Sequence, residues 1–438
     1  MSSRLLIAIL ALTLSLGVSA PAVAVMCALD DVPAATLLLP YFETTAMAPG
    51  VNTLMSINNA TAEAALAHVT FWTNWSMITY EFDLYLTGYD VATFSLRDVI
   101  FNGLIPITAD QGTDPTDTIS PQGPYSQDAA FPGCDDFFPF YVNPVIRNAE
   151  LETLQKGHLG LPLASLGSGR CLSQGFNDGI ARGYITVDSV SHCSTAVVLD
   201  PGYFVDGGSG IANNNNVFWG DYFIYEPRAG TAFGERLVAI EAHPEFNATS
   251  TSTGYTFYGR YYSPAIGGDN REPLGTAWAV RVLPGLGRSD LLVWRDSTAN
   301  NHPANGFVCN QGPNWYPLNE NEVFFFDEQE NATELCNPPG LRQLHSPPLS
   351  PFDAACFPFE TGRYQVDVGD LSVPANFGWL HLNLNLPPDS PAGDGDFGRF
   401  GLIAQSYTTE SHTVGTLQAG LAALELSSAC NDVDLSID

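Results

Sequence analysis

The segment richest in potential chemistry is Asp327-Glu328-Gln329-Glu330-Asn331, set directly after the apolar run Val323–Phe326. Asp296 closes another apolar run, Leu291–Trp294, and Asp269, Asn270 and Glu272 stand close together upstream. If these strand ends converge, Asp296, Asp327, Glu328 and Glu330 would aim several carboxylate oxygens at one point. Such a set suits Ca2+, a hard cation that takes about six to eight oxygens in loose geometry. The spacing is not that of an EF-hand loop, and turn carboxylates paired with Arg271 and Arg295 explain the same residues. Calcium is the one cofactor the residues suggest.

Carboxylates in pairs also suit glycoside hydrolysis, with one acid and one base or nucleophile flanking a sugar. Glu328, Glu330 and Glu241 are the candidates, but a chain with 47 acidic residues offers such pairs by composition alone. No G-x-S-x-G elbow, H-E-x-x-H, C-x-x-C or Walker lysine motif is present. Lys156 is the only lysine, which leaves Schiff-base and lysine–phosphate chemistry one candidate in a polar segment. The eight histidines show no metal-ligand spacing. No catalytic residue is assigned.

Aromatic residues offer binding chemistry instead. In Val217–Tyr225 strand alternation puts Trp219, Phe223 and Tyr225 on one face and Phe218 and Tyr222 on the other. An exposed row of this kind would stack on sugar rings, whereas a buried one would pack between sheets. Trp379–Leu386 alternates too, with Leu380, Leu382, Leu384 and Leu386 opposite His381, Asn383 and Asn385.

The elements that must position these residues read as strands. Ala35–Phe42, Thr53–Ile57, Ala67–Trp72, Glu81–Leu86, Gly183–Val187, Val217–Tyr225, Arg236–Ala242 and Tyr255–Tyr262 carry β-branched and aromatic residues between turn signals. Trp278–Val282, Leu291–Trp294, Val323–Phe326, Tyr364–Val368, Trp379–Leu386, Leu402–Tyr407 and Leu421–Leu426 continue the pattern. Residues 105–180 break it with a Pro-, Gly- and Asp-rich excursion containing one short helix, Arg147–Lys156. The sum predicts an all-β protein of two associated antiparallel β-sandwich (Ig-like) domains. They would span 25–266 and 267–438, parted at Gly267-Gly268-Asp269-Asn270.

Residues 1–24 have the layout of a secretory signal peptide: a basic start, the apolar run Leu5–Gly17 and an A-x-A site at Ala22-Val23-Ala24. Export, to the periplasm or beyond the cell, would let disulfides persist among Cys27, Cys134, Cys171, Cys193, Cys309, Cys336, Cys356 and Cys430. Proximity along the chain favours Cys171–Cys193 and Cys309–Cys336. With 16 basic against 47 acidic residues, the formal charge of −31 repels phosphate backbones and anionic headgroups. Nucleic acid is excluded as a partner, and no later segment is apolar enough to span a bilayer as a helix. An extracellular glycan or a cell-surface component is the partner class left open.

Several segments carry a resemblance: Asp31–Phe42 (DVPAATLLLPYF), Tyr85–Val91 (YLTGYDV), Leu96-Arg97-Asp98, Asn270–Leu274 (NREPL), Val293–Ser297 (VWRDS) and Phe326–Asn331 (FDEQEN). Together they resemble a group of uncharacterised secreted bacterial proteins. The resemblance implies a bacterial exported protein and transfers no activity. The combined expectation is a non-catalytic binding module or surface component, with a polysaccharide hydrolase as the alternative.

Overall fold

The structure is a computed structural model. It describes residues 26–106, 146–250, 255–261, 268–296, 305–335, 341–343, 356–366, 376–385, 405–427 and 430, apart from positions 28, 30, 284–285, 314–315, 317, 319, 321 and 415–416. The proposed signal peptide, Cys134, Cys336 and most of the 105–180 excursion lie outside the described residues.

The first half of the chain supplies β1 (Thr36–Thr45), β2 (Asn52–Asn59), β3 (Ala65–Trp72), β4 (Ile78–Leu86) and β5 (Val91–Ser95). It continues with β6 (Arg170–Cys171), β7 (Ile180–Val190), β8 (Phe218–Glu226), β9 (Thr231–Arg236) and β10 (Val238–Ile240). The second half supplies β11 (Ala277–Val282), β12 (Arg288–Asp296), β13 (Phe307–Val308), β14 (Glu322–Phe326), β15 (Ala332–Glu334) and β16 (Leu341–Gln343). It ends with β17 (Thr361–Val366), β18 (Gly378–Asn383), β19 (Gln405–Val414), β20 (Leu417–Ala422) and β21 (Leu424–Glu425).

These strands form four larger sheets: A, β10-β1-β7-β3-β4; B, β5-β2-β8-β9; C, β16-β17-β12-β19-β20; and D, β15-β14-β18-β11-β21. Their ladders are antiparallel, as the alternating sequence predicts. The fold is all-β.

Alternation explains the layering. Leu37, Leu39 and Tyr41 of β1, Val69 and Phe71 of β3 and Ile185 and Val187 of β7 share a core with Met55, Ile57, Tyr222 and Ile224 of sheet B. In the second half, Val280, Val323, Phe325, Leu380 and Leu382 of sheet D meet Leu291, Val293 and Tyr364 of sheet C. That second core also takes in Leu38, Trp72 and Tyr184 of sheet A, so the opposite pleat of sheet A is covered as well. Burying a Leu or Phe side chain contributes about 1.5–3 kcal/mol, so the two halves are held by an apolar seam and not by a linker alone.

Two α-helices stand beside the strands among the described residues. In α1 (Leu96–Asn102) the Ser95 hydroxyl caps the first turn by accepting from the Asp98 amide, and Gly103 ends the helix at φ 68°. This helix is too short for apolar periodicity to betray it. The second, α2 (Asn148–Leu159), is the expected helix of the excursion, running three residues further. Its His158 is fully buried, with Nδ1 at 2.8 Å from the Arg182 carbonyl and Nε2 at 2.8 Å from the Thr79 hydroxyl.

Burial pushes the His158 imidazole from 6.5 down to about 4, only partly offset by the Arg182 carbonyl. The unfolded chain therefore binds this proton first as pH falls, and folding loses about 3 kcal/mol between pH 6.5 and 4. His158→Gln keeps hydrogen-bonding capacity without the titration. Urea melts at pH 7 and pH 4 are expected to show a smaller acid loss in this variant, and an identical loss would remove His158 from the acid limb.

Two expectations are corrected. Tyr255–Tyr262 is not a strand: residues 255–261 form turns. Its alternating aromatics are used singly, the Tyr258 hydroxyl reaching Asp188 and Arg260 reaching Asp296 and Glu360, and those tertiary partners override local β preference. Cys171 pairs with Cys309, not Cys193, beside the small β6–β13 ladder that brings the two segments together. Cys27 pairs with Cys430, closing 403 residues of chain. Cys193 and Cys356 are also disulfide-bonded. Among the described residues no helix is long and apolar enough to cross a membrane.

Candidate functional site

Strand β8 alternates in burial as its sequence predicts. Phe218, Tyr222 and Ile224 point into the first core, while Trp219 and Phe223 turn outward at 46% and 45% exposure. Both aromatics sit on the outer face of sheet B, about 13 Å apart along the strand. The ladder to β2 pairs Trp219 with Asn58, Asp221 with Ser56, Phe223 with Leu54 and Tyr225 with Asn52. Beyond β2 lie Val91, Thr93 and Ser95 of β5. On the other side Gly234 of β9 faces Phe223, and a Cβ there would stand 2.6 Å from the Phe223 ring, so glycine gives that ring its seat.

Beside the aromatics runs a pre-bonded polar band in which Asp221, between the two rings, is exposed, while Ser56, Asn58 and Asn52 behind it are buried. The Ser56 hydroxyl donates to Asp221 Oδ1 at 2.9 Å, and Asn58 Nδ2 donates to the Ser56 hydroxyl and to the Trp219 carbonyl, each at 3.2 Å. Asn52 Nδ2 donates to the Tyr225 hydroxyl at 3.1 Å and to the Ser95 hydroxyl at 3.0 Å. Rings alternate with fixed donors and acceptors, so the face is amphipathic along the strand.

Trp219 also borders a groove of about 340 Å3. Val32, Pro33, Leu37, Ala60, Leu237 and Ala239 make its wall apolar, and Asp31 and Arg236 pair at its rim. Sequence reasoning placed Trp219, Phe223 and Tyr225 on one face but missed Asn52, Ser56 and Asn58. Their signal was present, since polar Ser56 and Asn58 alternate with apolar Met55 and Ile57. The groove had no such signal, because its wall comes from four separate stretches of chain.

The suggested calcium ligands are placed apart in role. Asp296 is buried at the end of β12, accepting from Arg260 Nη1 at 2.8 Å and Gln405 Nε2 at 3.0 Å. Asp327 is half-buried and closes its own turn, accepting from the Gln329 and Asn331 amides and from Asn331 Nδ2, each at 2.8 Å. Those bonds from Asn331 hold its carboxyl below the usual range. Glu328 accepts from the Phe377 amide at 3.2 Å, and Glu330 sits in the same turn at φ 63°. Asp269, Asn270 and Glu272, expected at a boundary, are all buried, and so is Arg271. Among the described residues no three His, Cys, Asp or Glu side chains are arranged to hold a metal ion. Of the suggested acid–base residues, Glu241 is buried beside β10, whereas Glu328 and Glu330 belong to the turn between β14 and β15.

A second polar constellation crosses sheet A. Asp83, His68, Asp188 and Thr36 lie in one register row over β4, β3, β7 and β1. His68 Nδ1 is 2.7 Å from Asp83 Oδ1, and Thr36 donates to Asp188 at 2.5 Å. Burial opposes the charged imidazolium, but the Asp83 hydrogen bond and the charges of Asp83, Glu81 and Asp188 outweigh it and raise the His68 pKa. The row is sealed by Tyr203, Tyr258 and Arg271, which makes it internal framework. Compared with protein-family models, curated proteins and solved structures, the chain matches none.

Proposed function

We propose that the protein is a secreted, non-catalytic glycan-binding protein whose contact surface is the outer face of sheet B. The observation that carries this reading is the outward-turned pair Trp219 and Phe223, with a hydrogen-bonded polar band beside them. Sugar rings present C–H faces to aromatic planes and hydroxyls at their edges, which this alternation matches. The net charge of −31 disfavours anionic polymers, so the partner is a neutral glycan. The apolar run Leu5–Gly17 with its small-residue site, the disulfides and the resemblance to exported bacterial proteins support an extracytoplasmic location.

Titration with neutral β-linked oligosaccharides, followed by calorimetry, tests the reading. Trp219→Ala is expected to weaken binding by about 30-fold, the effect of removing one central aromatic contact. Its fold should survive, because the side chain is half exposed. A wild-type protein that ignores every neutral glycan offered would remove the proposal.

A further inference from the structure

We infer that the groove beside Trp219 receives the N-acetyl group of an amino sugar, making the preferred ligand an N-acetylhexosamine polymer. The inference rests on the glycan-binding reading and specifies its substrate class. A plain hexose carries hydroxyls on nearly every ring carbon. Lodged against Val32, Pro33, Ala60, Leu237 and Ala239, those hydroxyls would lose water and find few partners. An acetamido group differs in having a methyl for the apolar wall and one amide N–H and one carbonyl for a polar rim.

The rim has that chemistry. The Asp31 carboxylate supplies acceptors and the Arg236 guanidinium supplies donors, and both side chains are more than half exposed. Arg236 also lies opposite Asp221 in the β8–β9 ladder, so groove and polar band are continuous. Trp219 belongs to both surfaces, exposed on the sheet face and lining the groove. A ring stacked on Trp219 would direct its substituent inward. The apolar wall and the acidic surface both disfavour a carboxylated or phosphorylated sugar in this position.

Chitohexaose and cellohexaose make the test, because they share linkage and neutrality and differ at the acetamido carbon. Calorimetry on the full mature, oxidised protein is expected to show chitohexaose bound roughly tenfold more tightly, the worth of one buried methyl and one amide hydrogen bond. Ala239→Phe, which fills the groove, should bring the affinity ratio of chitohexaose to cellohexaose down to about one, the ratio and not either affinity alone being the readout. Arg236→Ala, at an exposed position that no core packing depends on, should reduce the preference without altering the melting temperature. Equal affinity of the wild type for both hexamers would overturn this inference and leave the sheet-face reading standing. Binding of neither would overturn this inference, whereas the sheet-face reading falls only if the wider series of neutral oligosaccharides is ignored as well.

Discussion

Arg363→Ala is expected to destabilise the protein by about 3–5 kcal/mol, the cost of stranding buried carboxylates without their cation. Arg363 lies in β17 of sheet C, 3% exposed. Its guanidinium contacts Glu43 of β1, Glu226 at the end of β8, and Asp290 of β12 at 2.9 Å. One side chain therefore joins sheets A, B and C. Burial pushes the Glu43 carboxyl up, but Arg363 and then Arg182 outweigh it and hold it below its ordinary value.

The sign of the pH effect follows. Glu43 is depressed in the folded state, so its contribution is complete above the unfolded value of 4.5 and disappears as pH falls through the folded one. Without Arg363 the same carboxylate is left buried with Arg182 as its remaining cation, and the damage should be greatest at pH 7 and least near pH 4. Urea denaturation midpoints at the two values measure this. A second variant separates charge from packing: Arg363→Met with Glu43→Gln, Glu226→Gln and Asp290→Asn should recover much of the loss, since the cation goes together with its three carboxylates and Arg288, the other partner of Asp290, is 35% exposed and can turn to water. A midpoint for Arg363→Ala equal to that of the wild type would show that the three carboxylates do not depend on it.

Asp188→Ala carries the second large effect, again about 3–5 kcal/mol. The Asp188 carboxylate accepts from the Thr36 hydroxyl, from the Tyr203 hydroxyl at 2.9 Å and from the Tyr258 hydroxyl at 3.0 Å, and Arg271 stands 3.6 Å away. Burial first, and then Asp188, raises both phenols well above 10, so toward Asp188 both hydroxyls donate. Removing the carboxylate strands three buried hydroxyls and leaves Arg271 with Asp269 as its remaining counter-charge at 3.5 Å. Asp188→Asn keeps the shape and half the accepting capacity, and its loss should fall between wild type and alanine. Thermal melts of the three proteins give the order directly, and an asparagine variant as damaged as alanine would assign the effect to charge alone.

Both predictions concern residues whose type gave no hint of their partners. Arg363 and Glu43 are 320 positions apart, and Arg271 bonds the Thr36 hydroxyl across 235. The sheet-face site was half legible. The sidedness of Trp219 and Phe223 against Phe218 and Tyr222 could be read from alternation, but not which side faced solvent, because either side of a strand can be covered by another layer. The candidate groove was not legible, since Asp31, Ala60, Trp219, Arg236 and Ala239 meet only when sheets A and B are stacked.

The same division runs through the whole chain. Strand positions, turn punctuation and the division of β8 and β18 into two faces follow from local forces, since the pleat repeats every two residues and each side chain obeys it without knowing its neighbours. The pairing of Cys171 with Cys309, the turn at 255–261 and the burial of Asp269–Glu272 do not. They depend on which distant segments desolvate one another. A charged or aromatic residue there takes the partner that repays its burial, however far along the chain that partner lies.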